Sequence, residues 1–246
     1  MNDQQPTAGT KRPSDIAAIP ELLGGYLNQR REGHLESYLA GSATRLGPAP
    51  ADASVVVVAV HGRSLSPAHM VEHLVSQLGD DRDDIAWILP VATEHTWYPL
   101  DFLAPFADNQ PALDDALATM ATIAEELVDV DSRRVVWVGH SQGACLVAEH
   151  LARHPQRWGA AAILTGGMIG PAEHPLSVSG SLHDMPTYFS NGDADDRVPL
   201  WRTQATADAF RAAGANTTVD VFPGRAHEIG DAEISRVRAL LDGIAR

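Results

Sequence analysis

Residues Gly139-His140-Ser141-Gln142-Gly143 place a serine between two glycines. They follow an apolar run, Val135-Val136-Trp137-Val138, and open a helix-forming stretch at Ala144. A serine hydroxyl becomes a useful nucleophile when a histidine takes its proton and a carboxylate orients that histidine. At a sharp strand-to-helix turn its Oγ stands clear of the sheet, and the helix N-terminus favours negative charge developing nearby. The glycines suit such a turn because neighbouring backbones crowd it. A bare G-x-S-x-G match is weak; the strand before it and the helix after it make this one informative. Ser141 is the candidate nucleophile, attacking an acyl carbon.

The partners should follow in the order Ser, then Asp or Glu, then His. His150 and His154 fall on the helix behind the turn, and His174 and His183 lie between two strands. His227 follows the last strand, in Phe222-Pro223-Gly224-Arg225-Ala226-His227, and is the candidate base. For the acid, the run Gly192-Asp193-Ala194-Asp195-Asp196-Arg197 offers three aspartates. Asp195 is preferred; the other two read as turn-forming or exposed. An oxyanion hole needs two backbone N–H groups. Gln142, after the nucleophile, supplies one, and Arg63, in His61-Gly62-Arg63-Ser64, the other. His61 reads as a structural residue that holds this loop.

The elements that must position these groups alternate. Val55 to Val60 is a continuous β-branched run, the pattern of a strand buried on both faces. A helix is expected over 66–78, a short strand over 85–89, a Pro- and Trp-rich loop over 90–110 and a long helix over 111–129. Strands at 135–138, 161–164, 187–190 and 217–222 alternate with helices at 142–154, 200–213 and 229–244. Such alternation implies one doubly wound, mainly parallel α/β sheet. Residues 38–41 are expected to begin an edge hairpin that turns at Gly47-Pro48-Ala49-Pro50. Residues 1–37 read as a tail or arm, partly disordered, before a single domain over 38–246.

Trp97, Tyr98 and Phe102 sit in the loop after the second strand, on the side where open α/β sheets bind ligands. They are expected to wall a pocket for a small apolar acyl or aryl group. Segment 166–184 is a Gly/Pro/Ser-rich loop without a helical pattern, so no lid domain is expected. His69 and His73 have i,i+4 spacing, but no third ligand is placed to complete a metal site. No metal and no cofactor is expected. Cys145 is the only cysteine, so no intrachain disulfide can form, and it reads as a buried thiol.

The formal net charge is −14, from 18 basic and 32 acidic residues, which disfavours nucleic acid or an anionic membrane as the main partner. The N-terminus is polar, without the apolar core of a signal peptide, and no stretch reaches the ~18 apolar residues of a membrane span. A cytoplasmic protein acting on a small-molecule ester is expected, with a homodimer through the N-terminal arm left open.

The ordered runs along the chain resemble the phospholipase/carboxylesterase family of α/β-hydrolases. They are Val60-His61-Gly62-Arg63, Thr96-Trp97-Tyr98-Pro99 with Phe102-Leu103-Ala104-Pro105, the Ser141 motif, Thr165-Gly166-Gly167-Met168-Ile169-Gly170-Pro171, Gly192-Asp193-Ala194-Asp195 with Val198-Pro199, and Phe222-Pro223-Gly224 with His227. The resemblance implies nucleophile Ser141, acid Asp195 and base His227, oxyanion donors Arg63 and Gln142, and substrate contact near Met168. It favours Asp195 through the D-x-x-V-P run. It implies a carboxylesterase, with a lysophospholipase or acyl-protein thioesterase as the alternative and a non-catalytic binding protein as the reading of another class. Three positions depart from the pattern. Ser64 stands where glycine is usual, His95 where a small amide is usual, and Asp196 where proline is usual.

Overall fold

A computed structural model describes residues 43–79 and 82–245 of the 246-residue chain. The expectations for residues 1–37, and for a hairpin starting at 38–41, lie outside the described residues.

Seven strands form one sheet in the order β1-β3-β2-β4-β5-β6-β7: β1 Ala43–Leu46, β2 Val55–Val60, β3 Ile85–Pro90, β4 Val135–His140, β5 Ala160–Leu164, β6 Pro186–Gly192 and β7 Asn216–Phe222. All neighbours pair in parallel except β1, which runs antiparallel to β3 with Ala43 opposite Pro90. The strand before the Gly47 turn does not pair with β2, the strand after it. Both flanks of β2 are taken by β3 and β4, so β1 is left the outer edge of β3.

Every residue of β2, β3 and β5 is buried, as the unbroken apolar runs require when helices cover both faces. Helix α1 runs in three pieces, Pro67–Met70, a π-wound Val71–Val75 and Ser76–Gly79. The others are α2 Ala112–Glu126, α3 Gln142–Arg153, α4 Leu200–Ala212 and α5 Asp231–Ile244. Helices α2, α3 and α4 meet one face, where Val56, Val58 and Val60 join Leu113, Met120, Leu146 and Phe210 in a single core. Helix α1 packs against α5. Each such aliphatic side chain contributes about 1.5–3 kcal/mol when removed from water. The connection between β5 and β6 carries no helix. No helix among the described residues is long and apolar enough to cross a membrane.

Parallel strands deliver their C-terminal ends to one edge of the sheet. The turn from β4 into α3 lies at that edge and is built around close contacts. A Cβ on Gly139 would lie 2.5 Å from Ala144 Cα, and one on Gly143 would lie 2.2 Å from the Val60 carbonyl oxygen. Neither contact has a flexible side chain that can yield. Gly143→Ala is therefore expected to push α3 off the end of β2 and cost several kcal/mol, as overpacking does when the backbone itself must move (about 1–3 kcal/mol or more). Urea denaturation of the variant measures this, and an unchanged midpoint contradicts it.

Candidate active site

Ser141 bridges β4 and α3 with φ 55° and ψ −120°. A non-glycine residue at positive φ is strained by roughly 1–3 kcal/mol and persists only where its surroundings hold it. Two bonds do so: Ser141 N–H donates to Leu164 O on β5 (3.0 Å), and Cys145 N–H donates to Ser141 O (3.0 Å). The Oγ is left pointing out of the turn, 2.7 Å from His227 Nε2.

His227 Nδ1 lies 2.7 Å from Asp195 Oδ2. The carboxylate has no proton to give, so Nδ1–H is the donor and Nε2 the free base facing Ser141. The Asp195 side chain is fully buried and that of His227 is 10% exposed. Its other oxygen, Oδ1, accepts the N–H groups of Arg197 (2.8 Å) and Val198 (2.9 Å), so both carboxylate oxygens are satisfied. Asp193 ties the acid loop to the base loop by accepting Gly224 N–H (2.6 Å), while Asp196 stays exposed. The structure thus brings Ser141, His227 and Asp195 into one hydrogen-bonded chain, from three different strand ends.

Gly62 lies directly beside Ser141: a Cβ there would lie 3.1 Å from Ser141 Cβ. Among the described residues, neither Arg63 N–H nor Gln142 N–H donates to a protein acceptor. Gln142 opens α3, where first-turn amides have no intrahelical partner. Both are therefore available to an incoming oxygen. His61 is fixed by its ring: Nδ1–H donates to Gly62 O (2.8 Å), Nε2 accepts Ala92 N–H (3.2 Å), and burial pushes its pKa down to about 4.

The four residues expected to touch substrate are placed in the core. Trp97, Tyr98, Phe102 and Met168 are 4, 0, 6 and 6% exposed. Trp97 donates its indole N–H to His61 O (2.8 Å), which turns the ring inward. Tyr98, expected to touch a ligand, is fully buried behind the loop. Met168 is held where its N–H donates to Thr206 Oγ1 (2.9 Å). His150 lies on α3 and His154 directly after it, with rings 5.3 Å apart, and His150 packs against Trp137, towards the end of the helix away from Ser141. His69 and His73 have rings 4.2 Å apart, and no group of three or more metal-ligating side chains occurs among the described residues. Cys145 is buried, and burial pushes its thiol pKa up to about 12, which keeps it protonated.

Sequence reasoning missed the groups that brace the site. Glu149, inside α3, accepts Ile169 N–H (3.1 Å) and pairs with Arg153 (2.7 Å). Arg202 donates to the carbonyls of Gly170 (2.6 Å) and Pro171 (2.7 Å), and Gly170 N–H donates to Phe102 O (2.8 Å). These bonds pin the β5–β6 connection to the body. Fully buried Glu233 accepts Gly230 N–H (3.0 Å) and pairs with Arg225 (2.6 Å), whose carbonyl accepts Ala194 N–H (3.1 Å) from the acid loop. Only the Glu233 brace carried a readable signal, as the third residue of a helix that reaches back to its cap.

His140, the residue before the nucleophile, stacks near His227 (6.1 Å, 20°) and near His69 (6.0 Å, 16°). Among the described residues neither of its ring nitrogens has a partner, and burial pushes its pKa down to about 3.

A model of the family described as Phospholipase/Carboxylesterase matches residues 52–244. None of the curated proteins matches the chain. Among solved structures, a phospholipase/carboxylesterase from Dyadobacter fermentans is 30% identical with a TM-score of 0.73, covering 87% of this chain and 100% of its own. A carboxylesterase from Mesorhizobium loti is 21% identical (TM-score 0.66, 87% and 100% covered). An acyl-protein thioesterase 2 from Zea mays is 20% identical (TM-score 0.63, 84% and 100% covered). The last two share the fold.

Two outcomes are expected. His61, His140 and His150 are held neutral by burial, with pKa values lowered from 6.5 to about 4, 3 and 4. The unfolded chain binds their protons below about pH 6.5 while the fold does not, so stability is full above that pH and lost as pH falls towards 4. Denaturation at pH 7.5 and 5.0 should show a drop of up to about 1.4 kcal/mol per pH unit for each histidine; equal stabilities contradict it. Glu233→Ala leaves Arg225 uncompensated and should cost about 3 kcal/mol in the same assay.

Proposed function

The chain belongs to the phospholipase/carboxylesterase family and is a hydrolase of the esterase or thioesterase type, and from that premise we propose a cofactor-independent serine carboxylic-ester hydrolase. The observation that carries this reading is the unbroken chain Ser141 Oγ–His227–Asp195, with both links at 2.7 Å.

In this mechanism His227 Nε2 takes the Ser141 proton as Oγ attacks the ester carbonyl. Asp195 remains ionised and stabilises the imidazolium, since its lone pairs are already engaged by Arg197 and Val198 N–H. The carbonyl oxygen, now negative, is taken by Arg63 N–H and Gln142 N–H. His227 then hands its proton to the leaving alcohol, and the acyl group stays on Ser141. Water attacks this acyl-enzyme with His227 again as base, and the acid departs. Each oxyanion donor of this kind contributes roughly 10²–10³ in rate.

Esters of small to medium size suit the site best. The β5–β6 connection carries no helix and is tied down by Glu149, Arg202 and Thr206. Trp97, Phe102 and Met168 would meet an acyl group only along the few per cent of surface they retain.

A panel of p-nitrophenyl acetate, butyrate, octanoate and palmitate, with matching acyl thioesters, tests the reading. The wild type should turn over the short esters, and Ser141→Ala should lose at least about 10³-fold in kcat/KM. A wild type that hydrolyses no member, or an alanine variant that keeps full activity, contradicts it. Preference for palmitate or the thioesters moves the assignment to lysophospholipase or acyl-protein thioesterase.

A further inference from the structure

The segment 95–100 carries two of the aromatic residues that sequence analysis assigned to a pocket wall, yet Trp97 and Tyr98 face the core. Its polar groups show another use. Gln142 places its side-chain amide flat against this segment: Oε1 accepts Trp97 N–H (3.0 Å) and Nε2 donates to Tyr98 O (2.8 Å). Arg63 forks onto the next two carbonyls, donating through Nη1 to Pro99 O (2.6 Å) and through Nη2 to Leu100 O. The residues beside Arg63 are fastened to the same segment. Ser64 N–H donates to His95 O (2.7 Å), and His95 Nδ1–H donates to Leu65 O (3.2 Å).

The two residues proposed as oxyanion donors are thus the same two whose side chains grip 95–100. Among the described residues each N–H is free, and each side chain is engaged. The segment is itself fixed at both ends. Ala92 N–H donates to His61 Nε2, and buried Asn109 accepts Leu100 N–H (2.8 Å) while donating to Asp101 O (3.0 Å). It also holds unusual backbone. Glu94 and His95 have φ of 51° and 60°, and Ser64, bonded to His95, has φ 60°. Three non-glycine residues in left-handed conformation within one contact cost roughly 1–3 kcal/mol each, and such strain collects where geometry is held for a purpose. Two of the three, Ser64 and His95, are positions where the sequence departs from the family pattern.

We infer that residues 95–100 are the template of the oxyanion hole, with the Arg63 guanidinium and the Gln142 carboxamide as positioning groups that aim their own backbone N–H donors at the carbonyl oxygen on Ser141. This rests on the hydrolase reading and adds roles for side chains that never touch the substrate. An oxyanion hole acts only if its donors stand 2.7–3.1 Å from where the charge develops, so a small release of either grip is felt in the transition state and not in ground-state binding.

The test uses Arg63→Ala, Arg63→Lys and Gln142→Ala in the full chain, each of which keeps the backbone N–H. kcat and KM are measured with p-nitrophenyl butyrate, alongside the Ki of a trifluoromethyl ketone that forms a tetrahedral adduct, the acid limb of the kcat/KM profile, and thermal unfolding. Arg63→Ala and Gln142→Ala should each lower kcat by about tenfold to a hundredfold with KM within about twofold. The ketone should weaken by the same factor, and the acid limb, set by the base, should stay in place. Arg63→Lys, reaching one carbonyl, should fall between. Arg63 is exposed, so its variants should unfold near the wild-type temperature, which keeps the result readable if Gln142→Ala does not fold. Unchanged kcat in folded Arg63→Ala overturns the inference, as does a rise in KM alone or a displaced acid limb. If wild type hydrolyses no ester or thioester, the hydrolase reading falls and this inference with it; if wild type is active and Arg63→Ala equals it, only the template is lost.

Discussion

The closeness of the α3 N-terminus to the ends of β2 and β4 governs the rest of the molecule. Gly143 sits against the Val60 carbonyl with no room for a Cβ, and Ser141 is bent to φ 55° to make the connection. That compression has three consequences. It lifts the Ser141 Oγ off the sheet. It sets Gln142 N–H at the start of a helix, where no helical carbonyl can use it. It also brings the β2 loop, with Gly62, alongside the serine. The strain is sustained by burial on every side: β2 and β5 are closed by helices, and Ser141 N–H is anchored on Leu164.

Two further strand ends supply the base and the acid, and parallel pairing of β6 with β7 makes them neighbours. Asn191 faces Val221 and Gly192 faces Phe222 in register, so the loops that leave them start side by side. Asp193 then binds Gly224, and the Arg225 carbonyl binds Ala194, which locks the loops before either functional residue is reached. Glu233 braces the second loop from within α5. The His227–Asp195 contact is the end of this series of backbone and carboxylate bonds.

Much of this was legible in the sequence, for physical reasons that differ by element. The Val55–Val60 run could only be a central strand, because six consecutive apolar residues need cover on both faces. The Ser141 turn was legible because glycines, strand and helix coincide. Asp195 and His227 followed from their places after β6 and β7. Other features were not legible. Aromatic residues after a strand look alike whether they face a ligand or the core; for Trp97 the difference is one hydrogen bond to His61, contributed by a residue 36 positions away. Glu149 and Arg202 read as ordinary helix residues, since their partners are backbone groups of a distant coil. The place of β1 beside β3 was not legible either, since sheet order is set by which strands fill the flanks of β2.

A covalent acyl group on Ser141 is the species on which the account turns. Rapid acid quench of the enzyme with p-nitrophenyl butyrate, followed by intact-mass and peptide mass spectrometry, reads it directly. A transient butyryl adduct is expected on the peptide containing Ser141, formed with a burst of p-nitrophenol and absent from Ser141→Ala. Ester turnover with no adduct at any time and no burst, or an adduct on another residue, would contradict it.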